Sequence, residues 1–216
     1  MKSLKTISMG SIKFNWFLIS GIILEIIVWI LTPGSSIISG VSGVSGIIAV
    51  VLCSQKKLSQ YFFSFLQLFT YSWLAYGERL YGELLENLFY FITMLFGVWY
   101  WSKGYKDEIL PKELSSKSSL GVFIFTILGI LGLWIFLKST DDTQPFLDSV
   151  TTVPAFVAQI LLMTKYRENW IYWLIIDVFS VVMWIEAGNY CMVAQFIFWS
   201  INCIYGWVLW NSKRSH

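Results

Sequence analysis

Eight apolar runs separated by short polar stretches take up most of this chain. They are Phe14 to Thr32, Ile37 to Cys53, Gln60 to Gly77, Gly82 to Trp101, Leu120 to Leu137, Ser149 to Thr164, Trp170 to Ala187 and Tyr190 to Trp210. Most approach the roughly 20 residues an α-helix needs to cross bilayer hydrocarbon. The pattern predicts an all-α membrane protein with eight transmembrane helices. The run around Pro154 is the least apolar, and its bounds are the least sharply drawn.

The polar stretches orient the runs. With the N-terminus in the cytoplasm, the inner segments hold Lys2, Lys5, Lys13, Lys56, Lys57, Lys103, Lys106, Lys112, Lys117, Lys165, Arg167, Lys213 and Arg214, and the outer loops keep only Arg79 and Lys138. Thirteen of the 15 basic residues then share one side, as the positive-inside bias requires. Both termini are expected in the cytoplasm.

Composition narrows the class. Of 216 residues, 56% are hydrophobic, 19% aromatic and only 13% charged, with mean hydropathy +0.65, well outside the soluble globular range. A net charge of +2, scattered over loop ends, excludes nucleic acid as a partner. Trp99, Trp101, Trp170 and Trp210 fall at span ends, where an indole anchors at the membrane–water interface. Cys53, Cys191 and Cys203 lack any metal or redox spacing and read as packing residues. The first run is long and contains Glu25, which favours a retained helix over a cleaved signal peptide.

An internal repeat organises the runs. A shift of 109 positions aligns Val44 with Val153, Ala49 with Ala158, Leu52 with Leu161, Lys56 with Lys165, Tyr81 with Tyr190, Phe89 with Phe198, Ile92 with Ile201, Gly97 with Gly206 and Trp101 with Trp210. Three helices plus one linking helix is an even number of crossings, so the two copies run parallel across the membrane. The division is then 1–36 (cytoplasmic N-terminus and extra helix), 37–103 (first three-helix repeat), 104–148 (linker helix and loops) and 149–216 (second repeat and cytoplasmic tail). That is the SWEET-like 3+1+3 plan with an extra N-terminal helix, in which cargo passes between the halves near mid-membrane. Gly40, Gly43 and Gly46 form a small-residue stripe suited to close helix approach. Pro154 is a candidate hinge or a static kink.

The strongest local signal is Lys165-Tyr166-Arg167-Glu168-Asn169-Trp170-Ile171-Tyr172-Trp173-Leu174-Ile175-Ile176-Asp177. On a helix, Trp170, Trp173 and Asp177 share one face, two indoles with a carboxylate one turn below. A carboxylate deep in a span costs about 2.5–3.5 kcal/mol to insert, so it faces a watery cavity or a partner. Gln67, Glu86, Asn87 and Thr93 in the first copy, with Gln195 and Asn202 in the second, are further mid-span polar groups. They either line a path for a hydroxyl-rich small molecule or make interhelical hydrogen bonds. Glu78, Glu83 and Glu186 are expected near the outer mouth. An enzyme is not expected: His216 is the lone histidine, no phosphate loop is present, and Asp141-Asp142 reads as a solvated turn. No metal or cofactor is expected.

The Lys165–Asp177 segment resembles the K-Y-x-E-N-W-x-x-W-x-x-x-[ND] segment of the bacterial nicotinamide riboside transporter family, PnuC. Lys57-Leu58-Ser59-Gln60-Tyr61-Phe62-Phe63 and Gly97-Val98-Trp99-Tyr100-Trp101 are similar to its first repeat. The resemblance implies a homotrimer and facilitated diffusion of nicotinamide riboside, with cytoplasmic phosphorylation trapping the product. It also implies stacking of the ligand on Trp170 and Trp173, with a hydrogen bond from Asp177. Asp177 stands where the riboside carriers commonly have Asn, and Asn87, beside Glu86, where Gln is usual, so thiamine or another nucleoside-like vitamin stays open as cargo. A non-transporting membrane binding subunit is the reading from another class. A pyridinium or thiazolium over an indole gains about 0.5–2 kcal/mol, a nearby carboxylate adds to it, and a phosphorylated nucleotide is repelled.

Overall fold

A computed structural model describes residues 10–33, 36–77, 81–103, 111–140, 145–186 and 190–211. They form eight helices: α1 (Gly10–Leu31), α2 (Ile37–Ser54), α3 (Gln60–Gly77), α4 (Tyr81–Ser102), α5 (Ser116–Leu137), α6 (Pro145–Met163), α7 (Asn169–Glu186) and α8 (Tyr190–Asn211). All eight expected helices are present. By length and composition α2, α5, α6 and most of α8 can cross a membrane, and shorter apolar stretches lie in α1 and α7.

Helices α1, α5 and α6 each begin about one turn before the apolar run does, because hydropathy marks where lipid starts and not where hydrogen bonding starts. Ser115 caps α5 by accepting from the Ser118 N–H at 3.2 Å. Ser36 caps α2 through Ser39 at 3.1 Å, an N-cap side chain satisfying one orphan donor of the first turn. Pro145 opens α6 at the position where a missing N–H costs nothing, and the helix runs on through Pro154.

The contacts of α2–α4 recur 109 positions later in α6–α8. Helix α2 ends with Lys56 at φ 61° and α6 with Lys165 at φ 67°. Each closes its helix with the paired bonds of a Schellman cap: Lys56 to Cys53 (2.8 Å) and Lys57 to Leu52 (3.0 Å), then Lys165 to Leu162 (3.0 Å) and Tyr166 to Leu161 (2.8 Å). The Trp101 Nε1–H donates to the Met163 carbonyl at 3.1 Å and the Trp210 Nε1–H to the Ser54 carbonyl at 3.0 Å, so each triplet ties itself to the other. Tyr61 meets Trp101 edge-on at 5.6 Å, and Trp170 meets Trp210 edge-on at 5.5 Å. Gly97 leaves room for Tyr61, and Gly206 for Trp170, whose ring lies 2.6 Å from where a Cβ would stand.

These contacts correct the expectation for three tryptophans. Trp101, Trp170 and Trp210 are at most 4% exposed and form the aromatic core. The Met163 and Ser54 carbonyls draw the Trp101 and Trp210 rings inward, and Gly206 makes room for that of Trp170. Trp99 alone of the four fits the anchoring role: it is 57% exposed, with the Lys103 Nζ 3.5 Å over its ring.

The N-terminal helix is not peripheral. Helix α1 packs on α2 and α8, with Trp29 against Gly40, Glu25 against Gly43 and Phe198 against Gly21. The small-residue stripe therefore serves close packing, since lipid supplies no hydrophobic drive for association. Gly46, its last member, faces Gln67 and Trp199. Helix α5 packs on α6, with Val153 against Gly129, and otherwise exposes an apolar surface.

Candidate functional site

Asp177 sits in the interior of α7, 3% exposed. Among the described residues it has one hydrogen-bond partner, the Cys203 thiol of α8, which donates to Oδ2 at 3.3 Å. A thiol is a weak donor, and no ammonium or guanidinium pairs with the carboxylate among the described residues. A buried acid so poorly compensated suits a cationic guest, because uncompensated charge in a dry site is costly. The positions 109 earlier carry Leu68 and Met94, both buried in the same cluster. Polarity is thus written into one triplet at a place where the other is apolar.

One turn above, the half-buried Trp173 lies 6.4 Å from the Tyr90 ring of α4, over Ala155, Ala158 and Ile176. Trp170 is packed on Gly206 and edge-on to Trp210, so the two indoles expected to stack on the ligand make different ring contacts. The buried Nε1 atoms of Trp170 and of Trp199 have no partner among the described residues, and a buried unpaired donor costs about 1–3 kcal/mol until an acceptor reaches it.

The remaining expected polar residues separate. Asn202, 1% exposed, accepts from the Ser54 hydroxyl at 2.9 Å and donates to the Val50 carbonyl at 3.2 Å, an interhelical clamp between α8 and α2. Its counterpart Thr93 accepts from Gln159 Nε2 at 3.1 Å, clamping α4 to α6. Asn87, one turn from Tyr90 on α4, is buried and donates to the Ser72 hydroxyl at 3.1 Å. Gln67 lies over Gly46 close to Trp199. Glu86 and Gln195 are half-buried at equivalent positions of α4 and α8. Sequence reading missed Tyr90, Trp199, Cys203 and Gln159. Its own repeat held a signal for two of them, since Tyr90 and Trp199 are equivalent positions one turn from the Thr93/Asn202 pair. Glu78, Asp141 and Asp142 lie outside the described residues, as do the side chains of Glu83, Glu186 and Cys191. Among the described residues no group of three metal-ligating side chains occurs.

A family model described as Nicotinamide mononucleotide transporter matches residues 36–212. A Haemophilus influenzae protein named nicotinamide riboside transporter PnuC is 30% identical over 206 residues, covering 90% of this chain and 88% of that protein. An Escherichia coli K12 protein of the same name is 31% identical, covering 82% and 86%. The crystal structure of a vitamin B3 transporter PnuC superposes with a TM-score of 0.79 at 26% identity, over 93% of this chain and 91% of that one.

Proposed function

From the premise that the chain belongs to the nicotinamide mononucleotide transporter family, a family of multi-pass membrane carriers and not of enzymes, we propose that it takes up nicotinamide riboside by facilitated diffusion. The observation that carries the reading is Asp177, a buried carboxylate whose one partner among the described residues is a thiol, one turn below Trp173. The pyridinium lies against Trp173, worth about 0.5–2 kcal/mol, with Asp177 supplying the countercharge. Gln67, Glu86, Asn87 and Gln195 offer acceptors and donors for ribose hydroxyls, and Trp170 and Trp199 offer unpaired indole N–H groups. Asn202 acts mainly as a clamp.

The same carboxylate repels a phosphate, so the riboside is carried in preference to the mononucleotide of the family's description. The halves, 37–103 and 149–216, form a SWEET-like 3+1+3 core joined through 104–148. They alternate access around the site, in a homotrimer with both termini cytoplasmic and the extra helix of 1–36 braced on the core. Cytoplasmic phosphorylation traps the product, and no ion coupling is required. Thiamine is the second reading, favoured by the same cation-seeking pair.

Titrating the purified protein with nicotinamide riboside, thiamine and an uncharged nucleoside while following tryptophan fluorescence tests both. Saturable quenching by the riboside is expected, and quenching by thiamine alone would transfer the assignment. Flux of labelled riboside into liposomes containing only this chain distinguishes a carrier from a binding subunit.

A further inference from the structure

At the end of the molecule where α2, α4, α6 and α8 terminate, two lysines converge on one tyrosine ring, with no salt bridge to either among the described residues. The Lys112 Nζ donates to the Tyr100 hydroxyl, 5.0 Å from that ring's centroid and 5.5 Å from the Tyr166 ring. The Lys165 Nζ stands 4.9 Å from the Tyr100 ring, and the residue is 8% exposed.

The backbone holds them together. The Lys112 N–H donates to the Lys165 carbonyl at 2.7 Å and the Arg167 N–H to the Lys112 carbonyl at 3.0 Å, a single bridge that seats the α4–α5 connection on the α6–α7 turn. The bridge keeps the two lysine backbones side by side, and both ammonium groups lie about the same Tyr100 ring.

The nearby described acids bond Arg167 and the backbone, and the buried Glu168 Oε2 takes no hydrogen bond among the described residues. Glu113 pairs with Arg167, and Glu168 Oε1 takes the Arg167 Nε at 3.5 Å and the Leu114 N–H at 3.2 Å. Arg167 itself lies over the Trp207 ring and bonds Asn211. Among the described residues the Lys112–Lys165 pair has no carboxylate partner. Burial first, and the Lys112 charge with it, pull the Lys165 ammonium below its usual pKa against the opposing effect of Tyr100. Adding an anion would remove that penalty. The other triplet has no such arrangement: Leu58 and Ser59 stand where Arg167 and Glu168 do, and Leu209 where Tyr100 does. The site is therefore not a by-product of the shared scaffold. Trp99, exposed beside Tyr100 with Lys103 over its ring, has the character of an indole at a membrane–water interface.

We propose that Lys112, Lys165, Tyr100 and Tyr166 form a binding site for a phosphate group, held between the two ammonium groups with the tyrosine hydroxyls as further donors. The phosphate is either a diester in the headgroup of an anionic lipid or a soluble monoester, and the chemistry of recognition is the same. The site is independent of the cargo assignment.

Thermal unfolding of the full chain in neutral detergent tests it, with short-chain phosphatidylglycerol, phosphatidylcholine, inorganic phosphate or nicotinamide mononucleotide added at matched ionic strength with chloride. The midpoint is expected to rise with at least one phosphate source that carries net negative charge, and not with phosphatidylcholine. A rise with phosphatidylglycerol alone assigns the headgroup, and a rise with phosphate or the mononucleotide assigns a soluble ligand. Lys112→Gln, on an exposed side chain outside any helix, should weaken the response about fivefold, the worth of one basic residue at an anionic surface. Lys112→Gln/Lys165→Gln should abolish it while the ligand-free midpoint holds or rises and riboside binding persists. If the double variant fails to fold, the single variant decides. No rise with any anion, or an equal rise in wild type and Lys112→Gln, overturns the site.

Discussion

The two triplets share their scaffold and differ at their chemistry. The left-handed lysine at the first turn, the indole tied to the opposite triplet's carbonyl, the glycine that receives an aromatic ring and the polar clamp at mid-helix all occur twice, at 109-residue spacing. Among the positions that differ, Leu68, Met94 and Ser64 stand where the second triplet has Asp177, Cys203 and Trp173. Packing constraints fall on both copies alike, so a departure from the pattern is where the sequence answers to something other than packing. On the function proposed above, one triplet is the fold and the other is the fold plus a site.

The largest expected effect comes from erasing that departure. Asp177→Leu makes α7 match α3 at the position of Leu68. It should weaken riboside binding about a hundredfold, the scale of a charge-assisted contact in a site of low dielectric. The thermal midpoint should hold or rise, because an ill-paired buried carboxylate gives way to an apolar side chain. Isothermal titration and a melting curve on the same preparation read both. A binding constant that stays put would remove Asp177 from the site.

Trp173→Ala should come next, abolishing high-affinity binding with a loss of about thirtyfold, corresponding to the upper end of a cation–π contact. Ser64→Ala, the equivalent change in α3, should leave binding untouched. Fluorescence titration of the two variants side by side sharpens the contrast between the triplets. Equal losses would mean that both triplets contact the cargo.

Much of this architecture was legible in the chain. Apolar runs report helices because a bilayer admits few other spanning structures, and the rare matched residues, Lys56/Lys165, Gly97/Gly206 and Trp101/Trp210, exposed the repeat. The interior was less legible. A tryptophan at a span end reads as an anchor, and only the tertiary pairing with Met163, Ser54 and Gly206 turns Trp101, Trp210 and Trp170 inward. Asn202 reads equally as a ligand group or a clamp, because one-dimensional spacing cannot say that Ser54 and Val50 already occupy its amide. Cys203 carries no signal at all until Asp177 is found beside it.

The scaffold should break symmetrically where the site does not. Gly97→Ala and Gly206→Ala each force a methyl into an aromatic ring, Tyr61 in one case and Trp170 at 2.6 Å in the other. Overpacking of this kind costs about 1–3 kcal/mol. Similar falls in the melting midpoint of both variants are expected. A large fall in one alone would show that the two aromatic sockets do not bear equal weight.

The smallest effect tests the symmetry at its most local. Lys56 holds φ 61°, a conformation that costs a residue with a Cβ about 1 kcal/mol and that glycine adopts freely. Lys56→Gly relieves that strain, but it also frees the unfolded backbone, which takes back part of the gain. A net stabilisation of about 0.5 kcal/mol is expected in chemical or thermal unfolding. Lys165→Gly removes the same strain and a buried ammonium besides, so it should stabilise more than Lys56→Gly in the absence of anions. Addition of phosphatidylglycerol or phosphate should then favour wild type over Lys165→Gly and leave the ranking of Lys56→Gly against wild type unchanged. If the two glycine variants respond alike, the lysines are equivalent caps and the asymmetry of the basic end has no energetic content.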